Sequence, residues 1–144
     1  MGYRKYVLNL KEAKAIAERC LQEVLETSGE PVAISIVDDA GAPVYCLRMD
    51  EVRPLCLELA ECKAYTAAIG ELCTSEFGKR DKSWERELAN YHDNKFTHIA
   101  GGVPIKVTDP DSGNFKIVGG VGVSGRMPEA DEAIAKIGLL GIEL

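Results

Sequence analysis

The chain has 144 residues, 46% of them hydrophobic and 28% charged, which is the balance of one folded core rather than of a disordered segment. Its 23 acidic and 17 basic side chains leave a formal charge of -6, a surface that repels phosphate backbones and argues against nucleic-acid binding. No run approaches the ~20 apolar residues that cross a bilayer, and the basic start Met1-Gly2-Tyr3-Arg4-Lys5 leads into a polar run from Asn9 to Lys14 rather than an export signal, so a cytoplasmic protein without a membrane partner is expected.

A first helix is predicted where Leu10, Ala13, Ala17, Cys20, Leu21 and Val24 recur at helical spacing, with Asn9 as N-cap and Gly29 past its end. Pro31 to Val37 is short and β-branched and reads as a strand; Asp38-Asp39-Ala40-Gly41 turns the chain, and Val44 to Met49 returns as the antiparallel partner. A second helix runs from about Pro54 to Leu72, presenting Leu59, Ala60, Ala64, Ala67, Ala68 and Leu72 as a small-residue face that allows close packing on a sheet. Gly78 to Ser83 is polar and breaks the pattern. Trp84, Leu88 and Tyr91 then suggest a short helix capped by Ser83. Val103 to Val107 and Phe115 to Ser124 are strands joined by the turn Asp109-Pro110-Asp111-Ser112-Gly113, and a last helix begins at Pro128 with Ala130, Ile134, Ile137 and Gly138 facing the core. Two hairpins with intervening helices predict a single α+β domain: an antiparallel sheet covered by helices, not a doubly wound parallel one.

The five cysteines are scattered and include no C-x-x-C pair, so buried reduced thiols are expected rather than a zinc knuckle or a redox dithiol. Gly120-Val121-Gly122-Val123-Ser124-Gly125 spells G-x-G-x-x-G, yet a dinucleotide fingerprint needs a second strand with an acidic residue about 20 positions on, and the sequence runs to Leu144 without one. Glu129, Asp131 and Glu132 also crowd the helix start where a pyrophosphate would sit. The alternating glycines leave a strand with one bare face, which a packed helix, a neighbouring subunit or a flat ligand could fill.

Taken together, four blocks resemble the GlcG/HbpS family of haem-binding or haem-degrading domains, which includes the C-terminal domain of PduO-type adenosyltransferases. They are Pro31 to Asp38 with Gly41 and Arg48-Met49-Asp50; Lys63-Ala64-Tyr65-Thr66-Ala67-Ala68; Gly101-Gly102-Val103-Pro104-Ile105; and Val118 to Gly125 with Pro128 to Glu132. The resemblance implies a profilin-like antiparallel sheet flanked by helices, assembly into homo-oligomers from dimers to octamers, haem as a candidate cofactor or a small organic ligand in its place, and a setting in the catabolism of small molecules. Between Gly78 and Ala100 the chain departs from the family pattern with a longer charged segment.

That segment contains both histidines, His92 and His98, which could ligate haem iron or move protons near neutral pH, or could be unengaged loop residues. Arg48, Lys63 and Arg126 could receive a carboxylate; equally, Lys63 could be paired internally with Asp50 or Glu132, since an unpaired buried ammonium is costly, and Arg126 could neutralise an acid of the last helix. Asp50, Tyr65, Thr66, Gly101, Gly102, Gly120 and Gly122 complete the candidate ligand contacts, with Glu129 a candidate proton carrier beside His92 and His98. The leading functional expectation is a haem- or small-ligand-binding oligomer. The alternatives are a lyase, isomerase or hydratase acting on a small organic or aromatic acid, and a non-catalytic assembly partner.

Overall fold

The computed structural model describes residues 1–140 and 142. Helix α1 (Leu10–Glu26) is opened by Asn9, whose side chain accepts the Glu12 amide at 2.8 Å while the Glu12 carboxylate accepts the Asn9 amide at 3.0 Å. It buries Ala13, Ile16, Ala17, Cys20 and Val24; Leu10, expected on that face, points to solvent. Strands β1 (Ala33–Asp38) and β2 (Pro43–Arg48) form the first hairpin, and the Asp38 side chain closes the turn by accepting the amides of Ala40 and Ala42. Helix α2 (Pro54–Gly70) starts on its proline, and helix α3 (Thr74–Ser83) follows. A single 3-10 turn, Leu88–Tyr91, precedes β3 (Gly102–Thr108), β4 (Phe115–Ser124) and helix α4 (Pro128–Gly138).

The four strands make one antiparallel sheet in the order β2-β1-β4-β3. Helix α2 covers one face, and α1 with α4 covers the other, so the expected α+β layering holds. The central strands are consequently buried on both sides, and their alternation separates two packings. Ile34, Ile36, Val121 and Val123 join Ile16, Ala17 and Ile134 on the α1–α4 side. On the other side Ala33 meets Val52, Cys56 and Ala60, and Val37 meets Ala64 and Ala68.

The bare face of β4 belongs to this second packing. A methyl group added at Gly120 would overlap the Ala64 carbonyl oxygen, and one at Gly122 the Ala60 carbonyl oxygen. Backbone lies against backbone there, and the helix fills the space a flat ligand would need.

One element differs in kind from expectation. Residues 78–83, read as a break, are the second half of α3, and Ser83, read as the cap of a following helix, ends α3 with its hydroxyl on the Arg80 carbonyl. The helix expected over Trp84, Leu88 and Tyr91 shrinks to the one 3-10 turn, and Trp84 stays exposed beneath the guanidinium groups of Arg80 and Arg86. The reason lies in the stripe that α3 buries: Thr74, Phe77 and Asp81, two of them polar.

Candidate functional site

Asp81 is the centre of the site. It sits on the buried side of α3 with no exposed surface. Its Oδ2 lies 2.7 Å from His98 Nε2, its Oδ1 accepts the Tyr91 hydroxyl at 2.5 Å, and Arg80 Nη2 stands 3.8 Å away. Burial pulls its carboxyl upward, but the hydrogen bonds from Tyr91 and His98 and the charges of His98 and Arg80 outweigh this, so it lies below the ordinary carboxylate range. An ionised carboxylate only accepts, so both neighbours donate to it. The Tyr91 oxygen in turn accepts Arg86 Nη1 at 3.3 Å, completing a chain from Arg86 through Tyr91 and Asp81 to His98.

Aromatic packing fixes this chain in place. Phe77 of α3 stacks on Phe96 with centroids 5.6 Å apart and meets Tyr91 at 5.4 Å and His98 at 5.8 Å; Tyr91 meets Phe96 at 4.9 Å. Tyr65 reaches across from α2, touching Phe96 at 5.5 Å and donating its hydroxyl to Asp93 at 2.5 Å. Its phenol is held above its ordinary value by that bond, and the Asp93 carboxyl below its own. Gly78, mid-helix, makes room for the histidine: a Cβ there would stand 3.1 Å from His98 Cβ and 3.2 Å from its carbonyl oxygen.

Beside this network lies an open cleft of about 970 Å³ between α3, the 3-10 turn and the start of α4. Leu88, Ala89, Ile99, Ala100 and Pro128 give it apolar lining; Lys79, Lys82 and Arg86 supply three cations. Lys79 and Lys82 make no ion pair among the described residues. His98, its side chain 33% exposed, and Glu129 also line the cleft. A second groove of about 750 Å³ holds His92, Asp93, Asn94 and Phe96 and shares Leu88 and Ala89 with the first. His92 is exposed, its backbone in the left-handed region at φ 54°, and its ring makes no hydrogen bond among the described residues.

Three of the residues singled out from sequence, His92, His98 and Glu129, therefore gather around these two grooves. Tyr65 stands behind the second groove, on Asp93 and Phe96, and the others lie elsewhere. Lys63 is the internal pair of the alternatives, but its partner is Asp131, not Asp50 or Glu132: Nζ donates to Asp131 Oδ2 at 3.2 Å and to the Val123 carbonyl at 2.9 Å. Burial pulls the ammonium below its ordinary value and pushes the Asp131 carboxyl above its own, each restrained by the other's charge.

Arg126 neutralises no acid of α4 with its guanidinium. That group closes the C-terminal end of α1 instead, donating to Val24 O, the Thr27 hydroxyl and Glu30 O at 3.1, 2.7 and 2.8 Å. Thr66 accepts the Thr97 amide at 3.0 Å, and side chains at Gly101 or Gly102 would overlap Lys63. Gly120 and Gly122 face α2, and Arg48 and Asp50 are exposed near the end of β2, lining neither groove. None of these is placed to contact a molecule in the cleft. Sequence reading missed Asp81, Tyr91, Lys79, Lys82 and Arg86; their one signal was the charged, aromatic composition of the segment that departs from the family pattern.

A family model described as haem degrading protein HbpS-like matches residues 8–140. The chain belongs to the HbpS-like family. Protein GlcG of Escherichia coli K12 is 30% identical over 126 residues, covering 83% of each chain. A double mutant of HbpS from Streptomyces reticuli superposes with a TM-score of 0.84 at 25% identity, over 99% of this chain and 92% of that one. The PduOC haem complex superposes with a TM-score of 0.75 at 25% identity, over 93% and 94%. No helix among the described residues is long and apolar enough to cross a membrane.

Proposed function

We propose that this HbpS-like chain binds haem or a small organic anion in the cleft beside α3. The observation that carries the reading is the union of an apolar lining, Leu88, Ala89, Ile99, Ala100 and Pro128, with three cations, Lys79, Lys82 and Arg86. Haem and aromatic acids are flat apolar bodies with carboxylates at an edge, and such a cleft matches both parts. The haem-bound relative supports the first member of that class.

The donor set fits haem. The three cations would take its propionates. His92, across the shared Leu88–Ala89 rim in the second groove, would be the imidazole offered to iron by a haem that spans both grooves; its ring makes no hydrogen bond among the described residues. When bound, haem would supply an iron centre for redox chemistry; the chain's own part is to orient the ring and neutralise its edge. Homo-oligomeric assembly and a catabolic setting belong to the same reading, and sizing chromatography tests the first of them.

Haemin titration tests the binding. The expected result is a Soret band that shifts in His92→Ala and an affinity that falls about tenfold in Lys82→Glu/Arg86→Glu, equivalent to ~1.4 kcal/mol. If neither haemin nor benzoate binds the wild-type chain, the reading is wrong.

A further inference from the structure

The link between Asp81 and His98 does more than the fold requires. Anchorage of residues 85–98 is already supplied by the stack of Phe77, Tyr91 and Phe96 and by the Tyr65–Asp93 bond. Yet a carboxylate is buried in full, at a cost that only paired donors offset. Its second partner is an imidazole left one-third exposed at the wall of the cleft. Because Asp81 accepts from Nε2, the lone pair of the neutral ring lies on Nδ1, which has no hydrogen-bond partner among the described residues. A base oriented by a buried acid, at the edge of a pocket with cations, is the arrangement that proton abstraction needs.

We propose that the cleft also transfers protons: the His98 imidazole, positioned by Asp81, removes and returns a proton beside the carbonyl of a small 2-oxo acid. This rests on the anion-binding reading, with the substrate carboxylate on Lys79, Lys82 or Arg86. In the step, the substrate C–H bond breaks and an N–H bond forms at Nδ1. The released electron pair moves into a C=C bond, and the carbonyl π pair shifts onto oxygen, giving an enolate beside the cations. Asp81 balances the imidazolium. Return of the proton to the same carbon is exchange; its delivery to the far end of an extended enolate is isomerisation. Neither needs an oxidant or a reductant. Asp81 is a positioning residue, and Arg86 is tied to it through Tyr91, so the group that receives the anion and the group that orients the base share one hydrogen-bond chain.

The test is proton NMR of 2-oxobutyrate in D2O with the full-length wild-type chain. The expected result is loss of the C3–H signal at least tenfold faster than in buffer. The enhancement falls about 100-fold in His98→Gln; in Asp81→Asn, kcat drops while KM holds. His98 is partly exposed, so His98→Gln keeps the test available if Asp81→Asn fails to fold. Exchange at the buffer rate while 2-oxobutyrate still binds overturns this inference and leaves the binding reading intact, as does an undiminished rate in folded His98→Gln. Haemin binding without 2-oxobutyrate binding also overturns the inference alone. Failure of haemin, benzoate and 2-oxobutyrate all to bind overturns both.

Discussion

Two carboxylates are buried among the described residues, and their partners differ in a way that separates architecture from chemistry. Asp131 faces Lys63 in a seam where the two side chains are 1% and 2% exposed, with the Val123 carbonyl and the Arg126 amide filling the remaining valences. Asp81 faces His98 across a boundary: the acid is sealed and the imidazole is 33% open. The first pair ties α2 to β4 and to the start of α4. The second ties α3 to the wall of the open cleft. Burying a charge costs several kcal/mol in either place; only the second leaves a titratable ring within reach of solvent.

The sharpest way to break this contrast is Lys63→Ala. Stranding Asp131 without its cation should cost about 3–5 kcal/mol, which in a chain of this size lowers Tm by roughly 10–17 °C. A loss below ~1 kcal/mol in urea denaturation would mean that the seam is no structural pair. Next in size is Gly122→Ala, which drives a methyl group into the Ala60 carbonyl and forces α2 away from the sheet; overpacking of this kind costs about 1–3 kcal/mol. An unchanged urea midpoint would show that α2 can retreat freely.

The smallest effect is pH-dependent. Asp81 titrates lower when folded than when unfolded, so the unfolded chain binds more protons in that window. Stability therefore rises with pH there: it is complete above the unfolded value of about 4 and is lost as acid passes through the folded one. The gap in urea midpoint between wild type and Asp81→Asn should be wide at pH 7 and narrow at pH 3. A gap that widens in acid would reverse the assignment of charge to Asp81.

Most of the architecture was legible because its core residues obey a period. Val121 and Val123 alternate with glycines, and Ala60, Ala64, Ala67 and Ala68 repeat as one helical face, so both the sheet and its cover follow from local pattern. Helix α3 was not legible for the opposite reason: its inner stripe carries Asp81 where periodicity looks for a hydrophobe. The candidate site suffers the same blindness. His92, His98 and Glu129 stood out by residue type, but the partner that gives His98 its orientation is 17 residues away on an element hidden by that partner's own polarity. Lys63 and Asp131 are 68 positions apart, and only the closed fold selects Asp131 over its neighbours. The cations Lys79, Lys82 and Arg86 resemble any solvated face until the cleft between them is seen.

The four-residue turn Leu88–Tyr91 stands as a partition, with Leu88 and Ala89 serving the grooves on both of its sides. Tyr91, at its far end, is also the link that passes a hydrogen bond from Arg86 to Asp81. A guest in either groove would rest on the same two side chains, Leu88 and Ala89. One short piece of backbone thus serves both compartments, and any effect that occupancy of one had on affinity in the other would be matched by a reverse effect of equal magnitude.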